Sequence, residues 1–118
     1  MNYNTHHLTD MLNVIAEVTG NGELQLQTLR MFAFVASRHP NEVSQREIEV
    51  ELGMVQTTVS RNIAYLGKGM DRDGKGALGG YGLIKQETDP LYVKRKLVRL
   101  TPRGEQLASV LSSYFKQQ

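Results

Sequence analysis

The sequence predicts a mainly α-helical fold with one small β-hairpin (α+β), and three observations predict it. Two short apolar-striped segments, residues 44–53 and 56–66, meet at Gly53. A strand pair rich in Lys and Arg follows across 81–101, after a Gly-rich stretch at 67–80. Segments with helical apolar spacing stand at either end, over 5–18 and 103–116. Two helices joined by a tight turn and followed by a cationic hairpin make a winged helix-turn-helix, and 118 residues support one such domain over 1–118.

Each element has a local reason. Leu8, Met11, Leu12 and Ile15 follow the i, i+3, i+4, i+7 spacing of an amphipathic helix over 5–18, stopped by Gly20-Asn21-Gly22. A second helix over 23–38 carries Leu26, Leu29, Phe32, Ala33 and Ala36 on one stripe, widened by Met31, Phe34 and Val35, and His39-Pro40 ends it. Ser44 with Glu47 forms a capping box that opens a third helix, with Ile48 and Leu52 facing inward and Gly53 closing it at positive φ. The fourth runs from Gln56 to Leu66 with Val59, Ile63 and Leu66 turned to the core. Strands are expected at Tyr81–Thr88 and Lys94–Thr101, around a tip at 89–93, with Val98 and Leu100 facing in. Thr101-Pro102 caps a last helix with Leu107, Val110, Leu111 and Tyr114 on one face.

Charge is distributed unevenly. Residues 1–53 hold three Lys/Arg and seven Asp/Glu, a net −4, whereas residues 54–103 hold ten against four, a net +6. The basic half contains the fourth helix and the hairpin, which points to a polyanionic partner on one face. The absence of cysteine excludes disulfides and thiolate metal sites. No apolar run approaches a membrane span and residues 2–10 show no signal-peptide core, so a cytoplasmic protein with no membrane partner is expected.

The candidate contact residues are Gln56, Thr57, Thr58, Ser60 and Arg61 on the fourth helix, with Lys94, Arg95, Lys96 and Arg99 on the hairpin. The first group lies outside the apolar stripe and carries the hydroxyl, amide and guanidinium groups that bond base edges and phosphates. An ordinary solvated helix face explains two adjacent threonines poorly, because threonine is a weak helix former. The hairpin cations read as phosphate contacts, although lysines can also guard a strand edge against aggregation. Arg103 is a weaker candidate, as are Lys68, Arg72 and Lys75 in the Gly-rich stretch. Gly74-Lys75-Gly76-Ala77-Leu78-Gly79 matches a dinucleotide fingerprint in spelling only, since a helix precedes it and a strand follows. His6, His7 and His39 show no metal spacing, and Glu47, Glu49 and Glu51 lie on a helix surface. No cofactor, no metal and no enzymatic activity are expected.

Four segments carry a family resemblance: Ser44-Gln45-Arg46-Glu47-Ile48, Thr58-Val59-Ser60-Arg61, Gly82-Leu83-Ile84-Lys85 and Leu100-Thr101-Pro102-Arg103-Gly104. In this order they resemble the MarR family of winged-helix transcription factors, over about Leu24 to Leu111. The resemblance implies a homodimer paired through its terminal helices, with the helix at 56–66 in the major groove of double-stranded DNA and the hairpin tip near the minor groove. It also implies a small-molecule effector pocket, which in the family often lies between the dimer arm and the DNA-binding lobe. This chain departs from the family pattern at several points. Glu49 replaces an alanine packed between the two helices, Val55 replaces a Ser/Thr cap, and the tip Tyr92-Val93-Lys94-Arg95 lacks Asp-x-Arg. Residues 67–80 are an insertion before the wing, and the last helix is shorter than the family's arm. The leading expectation is a sequence-specific double-stranded-DNA-binding transcriptional regulator acting as a homodimer. Two alternatives stand beside it: a replication or single-stranded-DNA-binding factor built on a winged helix, and a winged-helix module that docks a protein instead of DNA.

Overall fold

Among the described residues, five helices and three short strands follow one another as α1 (His6–Thr19), α2 (Leu26–Arg38), β1 (Val43–Ser44), α3 (Gln45–Leu52), α4 (Gln56–Leu66), β2 (Ile84–Thr88), β3 (Lys96–Leu100) and α5 (Pro102–Phe115). The computed structural model describes residues 3–69 and 80–116. Most of the insertion expected at 67–80, including Arg72, Lys75 and the Gly74–Gly79 run, lies outside the described residues. The strands form one antiparallel sheet in the order β1-β3-β2.

The helix boundaries follow local chemistry. Gly20 closes α1 in the left-handed conformation, φ 66°, where its own N–H and that of Asn21 reach the carbonyls of Glu17 and Ala16. α2 starts at Leu26 instead of residue 23. The Asn21 side chain accepts the Glu23 N–H at 2.9 Å, an Asx turn that offers this backbone an alternative to the helix. The capping box of α3 is complete: Ser44 Oγ accepts the Glu47 N–H at 3.0 Å and Glu47 Oε1 accepts the Ser44 N–H at 3.2 Å.

The hairpin strands are shorter than the sequence suggested. β2 begins at Ile84 because the chain before it serves the end of α4: Tyr81 N–H donates to Tyr65 O, Gly82 N–H to Gly67 O and Leu83 N–H to Leu66 O. Lys94 and Arg95 belong to the tip, and β3 begins at Lys96. β1 was not foreseen, because two residues are too few to show alternation. Its Val43 pairs with Val98 and covers the far edge of the central strand.

The core draws on every element but α1. Met31, Phe32 and Val35 of α2 meet Ile48 of α3, Val59, Ile63 and Leu66 of α4, Val98 and Leu100 of β3, and Leu107 of α5. The other side of α2 is a correction. Leu26 and Ala33 are exposed, and Leu29 and Ala36 only half-buried. With Met11, Leu12, Ile15 and Leu111 they line an open apolar groove of about 800 Å³ between α1, α2 and α5. The wide stripe read from α2 is therefore two faces, one in the core and one on this groove.

A backbone junction joins the wing to both neighbouring helices. Leu83 O accepts the Thr101 N–H at 3.1 Å, and the Thr101 hydroxyl donates to Gly82 O while accepting the Gly104 N–H at 3.0 Å. Gly104 rests directly on Leu83, so closely that a Cβ there would collide with the Leu83 carbonyl oxygen. Since that obstacle is backbone, Gly104→Ala should cost about 3 kcal/mol or more of stability. Gly22→Ala, where a Cβ meets nothing within 4 Å, should change stability by less than about 0.5 kcal/mol. Urea unfolding of the two variants checks the contrast.

Candidate nucleic-acid interface

The polar face of α4 stands clear of the core, as its apolar stripe requires. Gln56, Thr57, Ser60 and Arg61 are exposed, Thr58 is half-buried, and Val59, Ile63 and Leu66 point inward. A polar anchor that periodicity had hidden fixes the helix on its inner side. Asn62 is 0% exposed; its Oδ1 accepts the Thr28 hydroxyl of α2 and its Nδ2 donates to Thr58 O at 2.8 Å. Both ends of that amide are satisfied, so it can be buried without a desolvation penalty left open. Its place one residue before Ile63 on the core stripe was the available signal.

The α3–α4 pair and the wing enclose one cleft of about 660 Å³. α3 contributes Gln45, Arg46 and Glu49, α4 contributes Gln56 and Ser60, and the wing contributes Gln86, Lys94, Arg95 and Lys96. Gln45, Arg46 and Gln86 were absent from the contact residues proposed on sequence. Gln86 could have been found by strand alternation, since it lies two residues from buried Ile84 and opposite Val98. An amide chain crosses the cleft: Gln86 Nε2 donates to Gln45 Oε1 at 3.3 Å, and Gln45 Nε2 donates to Ser60 Oγ at 2.9 Å. The wing is thereby tied to α4 through α3. Glu49, which replaces a small residue of the resembling family, is accommodated on this cleft with its Oε1 3.2 Å from Arg46 Nη1.

Not all the expected cations gather here. Arg95 reaches Glu47 at 3.8 Å and Asp89 at 3.9 Å, and Lys96 Nζ donates to Thr88 Oγ1 at 3.2 Å. Arg99 pairs in register with Lys85, on the sheet face opposite to Val98, and its Nη2 contacts Glu87 Oε1 at 3.1 Å. The Lys85 hydrogen bond and then the charges of Arg99 and Lys85 hold the Glu87 carboxyl below its usual range. Arg103 is turned to a structural task, donating to Val18 O near the end of α1 at 2.6 Å. Arg61 is exposed on α4 outside the lining of the cleft. Among the described residues no group of three or more His, Asp or Glu is placed to hold a metal ion, and no helix is long and apolar enough to cross a membrane.

No protein-family model matches the sequence, and no curated protein does. Solved structures do match. MepR of S. aureus in complex with DNA superposes with a TM-score of 0.68 at 18% identity, over 96% of this chain and 79% of that one. The PcaV transcriptional regulator of Streptomyces coelicolor, in complex with its natural ligand, gives 0.58 at 16% identity over 98% and 74%. A MarR-family transcriptional regulator from Rhodococcus sp. RHA1 gives 0.59 at 18% identity over 92% and 64%. At such identities the shared property is the fold, a winged helix-turn-helix as in MarR-family regulators.

The N-terminus of α4 supplies a local test. Val55 occupies its N-cap with φ −76° and ψ 157°, the backbone geometry of a Ser or Thr cap, yet offers no side-chain acceptor. Its side chain is 66% exposed, so little packing would be lost on replacement. Val55→Ser should stabilise the protein by about 1 kcal/mol, read as a higher denaturation midpoint at unchanged m-value. An unaltered midpoint would show that the first N–H groups of α4 are already satisfied.

Proposed function

We propose that this chain is a sequence-specific double-stranded-DNA-binding transcriptional regulator that acts as a homodimer. The observation that carries the reading is the common cleft, where Gln56 and Ser60 from the second helix of a helix-turn-helix and the cations of a wing line one concavity. Gln56, Thr57, Thr58, Ser60 and Arg61 would enter the major groove, where amide, hydroxyl and guanidinium groups distinguish base pairs. Lys94, Arg95 and Lys96 would neutralise phosphates, and Arg99, on the outer face of the wing, would extend that potential beyond the cleft. MepR, whose fold this chain shares, has been solved on DNA. Bound at a pseudo-palindromic site, such a dimer would regulate by obstructing or redirecting polymerase.

Dimerisation draws its support from the apolar groove. Leu12 and Phe115 line it and are exposed, and Val110 of α5 is exposed as well. Leu107, expected on the pairing face, is instead buried in the chain's own core, so the face consists of Val110, Leu111, Tyr114 and Phe115 with the stripe of α1. The single-strand alternative has less support. Tyr81 accepts a hydrogen bond from Asn21 at 3.2 Å and lines a separate hollow with Tyr65, which leaves Tyr92 as the exposed aromatic of the basic segment.

Selection from random duplex and single-stranded pools at stated salt tests the reading. Enrichment of a duplex site with two-fold symmetry is the expected result, and enrichment of single strands alone would overturn it. On the selected site, Arg61→Ala should lower the ratio of specific to non-specific affinity by roughly tenfold. In light scattering the wild type should be a dimer and Leu12→Glu with Val110→Glu a monomer, because charges facing each other across an apolar seam remain unpaired.

A further inference from the structure

The wing tip bears an unusual surface that the contact residues above leave unexplained. Leu91, Tyr92 and Val93 are consecutive and 83%, 64% and 77% exposed. Scattered apolar residues on a surface are ordinary, but three in a row at the end of a projecting hairpin form a patch. We propose that Leu91, Tyr92 and Val93 are an apolar wedge for the DNA minor groove, so that the chain reads the deformability of the base step beneath its wing. The inference rests on the double-stranded-DNA reading and adds a second mode of sequence recognition to it.

The tip is built to hold its shape. Asp89 is buried at the root, where its Oδ1 accepts the Leu91 N–H at 2.8 Å and its own N–H donates to Arg95 O at 2.8 Å. The Arg95 N–H donates to Tyr92 O at 2.8 Å and closes the turn. A tip ordered in advance loses little entropy when it docks. Charge selects the occupant: Lys94, Arg95 and Lys96 follow the apolar triplet directly and line the cleft assigned to DNA. A polyanion that offers apolar surface between its charges fits both features, as sugars and partly unstacked bases do within the minor groove.

Chain order agrees with this placement. Lys94, which lines the cleft, follows Val93 directly, so the triplet projects from the rim of the concavity assigned to the duplex. The tip's arginine, Arg95, is held beside Glu47 and Asp89 on the cleft, and the projecting residues are Leu91, Tyr92 and Val93. Hydrogen-bond readout in the minor groove is degenerate in any case. An apolar wedge instead discriminates through the cost of opening a step, which is low for TA and CA/TG and high within stiff A-tracts.

The test uses the duplex enriched by selection, labelled at both ends for energy transfer, with the wild type, Tyr92→Ser, the triple serine variant at 91–93, and Lys94→Ala with Arg95→Ala. The triple variant should bind about tenfold or more weakly, with the salt dependence of affinity unchanged because no charge is removed. It should also bend the duplex less and lose the preference for a flexible step over an A-tract at the wing position. The lysine–arginine variant should instead flatten the salt slope by roughly 0.9 for each phosphate that is no longer neutralised. Wild-type affinity, bending and step preference in the triple variant would overturn the wedge while leaving the DNA reading intact. A wild type that binds no duplex would overturn both. Flotation with phosphatidylserine vesicles that depends on the triplet, without any effect of the triplet on duplex binding, would assign the tip to a lipid surface and overturn the wedge as well.

Discussion

The close approach of Gly104 to the Leu83 carbonyl, with the hydrogen bonds on either side of it, sets the geometry on which the candidate interface depends. The backbone at 81–83 donates three N–H groups to the last two carbonyls of α4 and to that of its cap residue Gly67, which satisfies a helix end that has no cationic side chain in its final turn. The Leu83 carbonyl then takes up the chain that leaves β3, through Thr101. One stretch of three residues thus ends the fourth helix, begins the wing and seats the last helix. Gly80 and Lys68, at the two ends of the Gly-rich insertion, meet here too: Gly80 N–H donates to Tyr65 O at 2.9 Å, and a Cβ on Gly80 would come within 2.9 Å of Lys68 O. The insertion therefore leaves and returns at one point, so it need not disturb the angle between helix and hairpin.

Electrostatics in the cleft are a balance between cations and the carboxylates that hold them. Glu47 caps α3 and also faces Arg38 at 3.7 Å and Arg95 at 3.8 Å, while Asp89 shapes the wing tip and faces Arg95 at 3.9 Å. The two Glu47 pairs are half-exposed and worth only about 0–1 kcal/mol each, so a phosphate can compete for the Arg95 guanidinium. What the carboxylates supply is position. Arg95 is kept beside the cleft and the tip is kept in one shape before any partner arrives. The amide chain from Gln86 through Gln45 to Ser60 has the same character, since it orders groups able to bond a base or a phosphate yet loses little when one of its links is exchanged.

Two apolar surfaces remain outside the core, and they differ in kind. The groove between α1, α2 and α5 is broad, and two of its three helices, α1 and α5, bury little of their length in the chain itself, which suits a second copy. The wing tip is small, projecting and bordered by cations. The groove comes from sequence stripes that look like ordinary core until the chain is folded. Leu26 and Leu29 on α2 repeat as regularly as Phe32 does, yet only Phe32 of the three is fully covered.

The sequence by itself determined the winged helix-turn-helix, the Ser44 and Thr101 caps, the Gly53 turn and the outward face of α4. These are decided within a few residues, by helical and strand periodicity and by backbone conformations that only certain side chains permit. Tertiary structure decided which half of the α2 stripe is core, the two-residue strand β1, the late start of β2, and the membership of the cleft. Each of these depends on partners far away in the chain: Asn62 on Thr28, Val43 on Val98, Gln86 on Gln45, and Tyr81 and Leu83 on α4. Charge alone placed Arg95, Arg99 and Arg103 in one class. The fold separated them, because strand pairing sends Arg99 to the outer face of the sheet and the packing of α5 beside α1 commits Arg103 to the Val18 carbonyl.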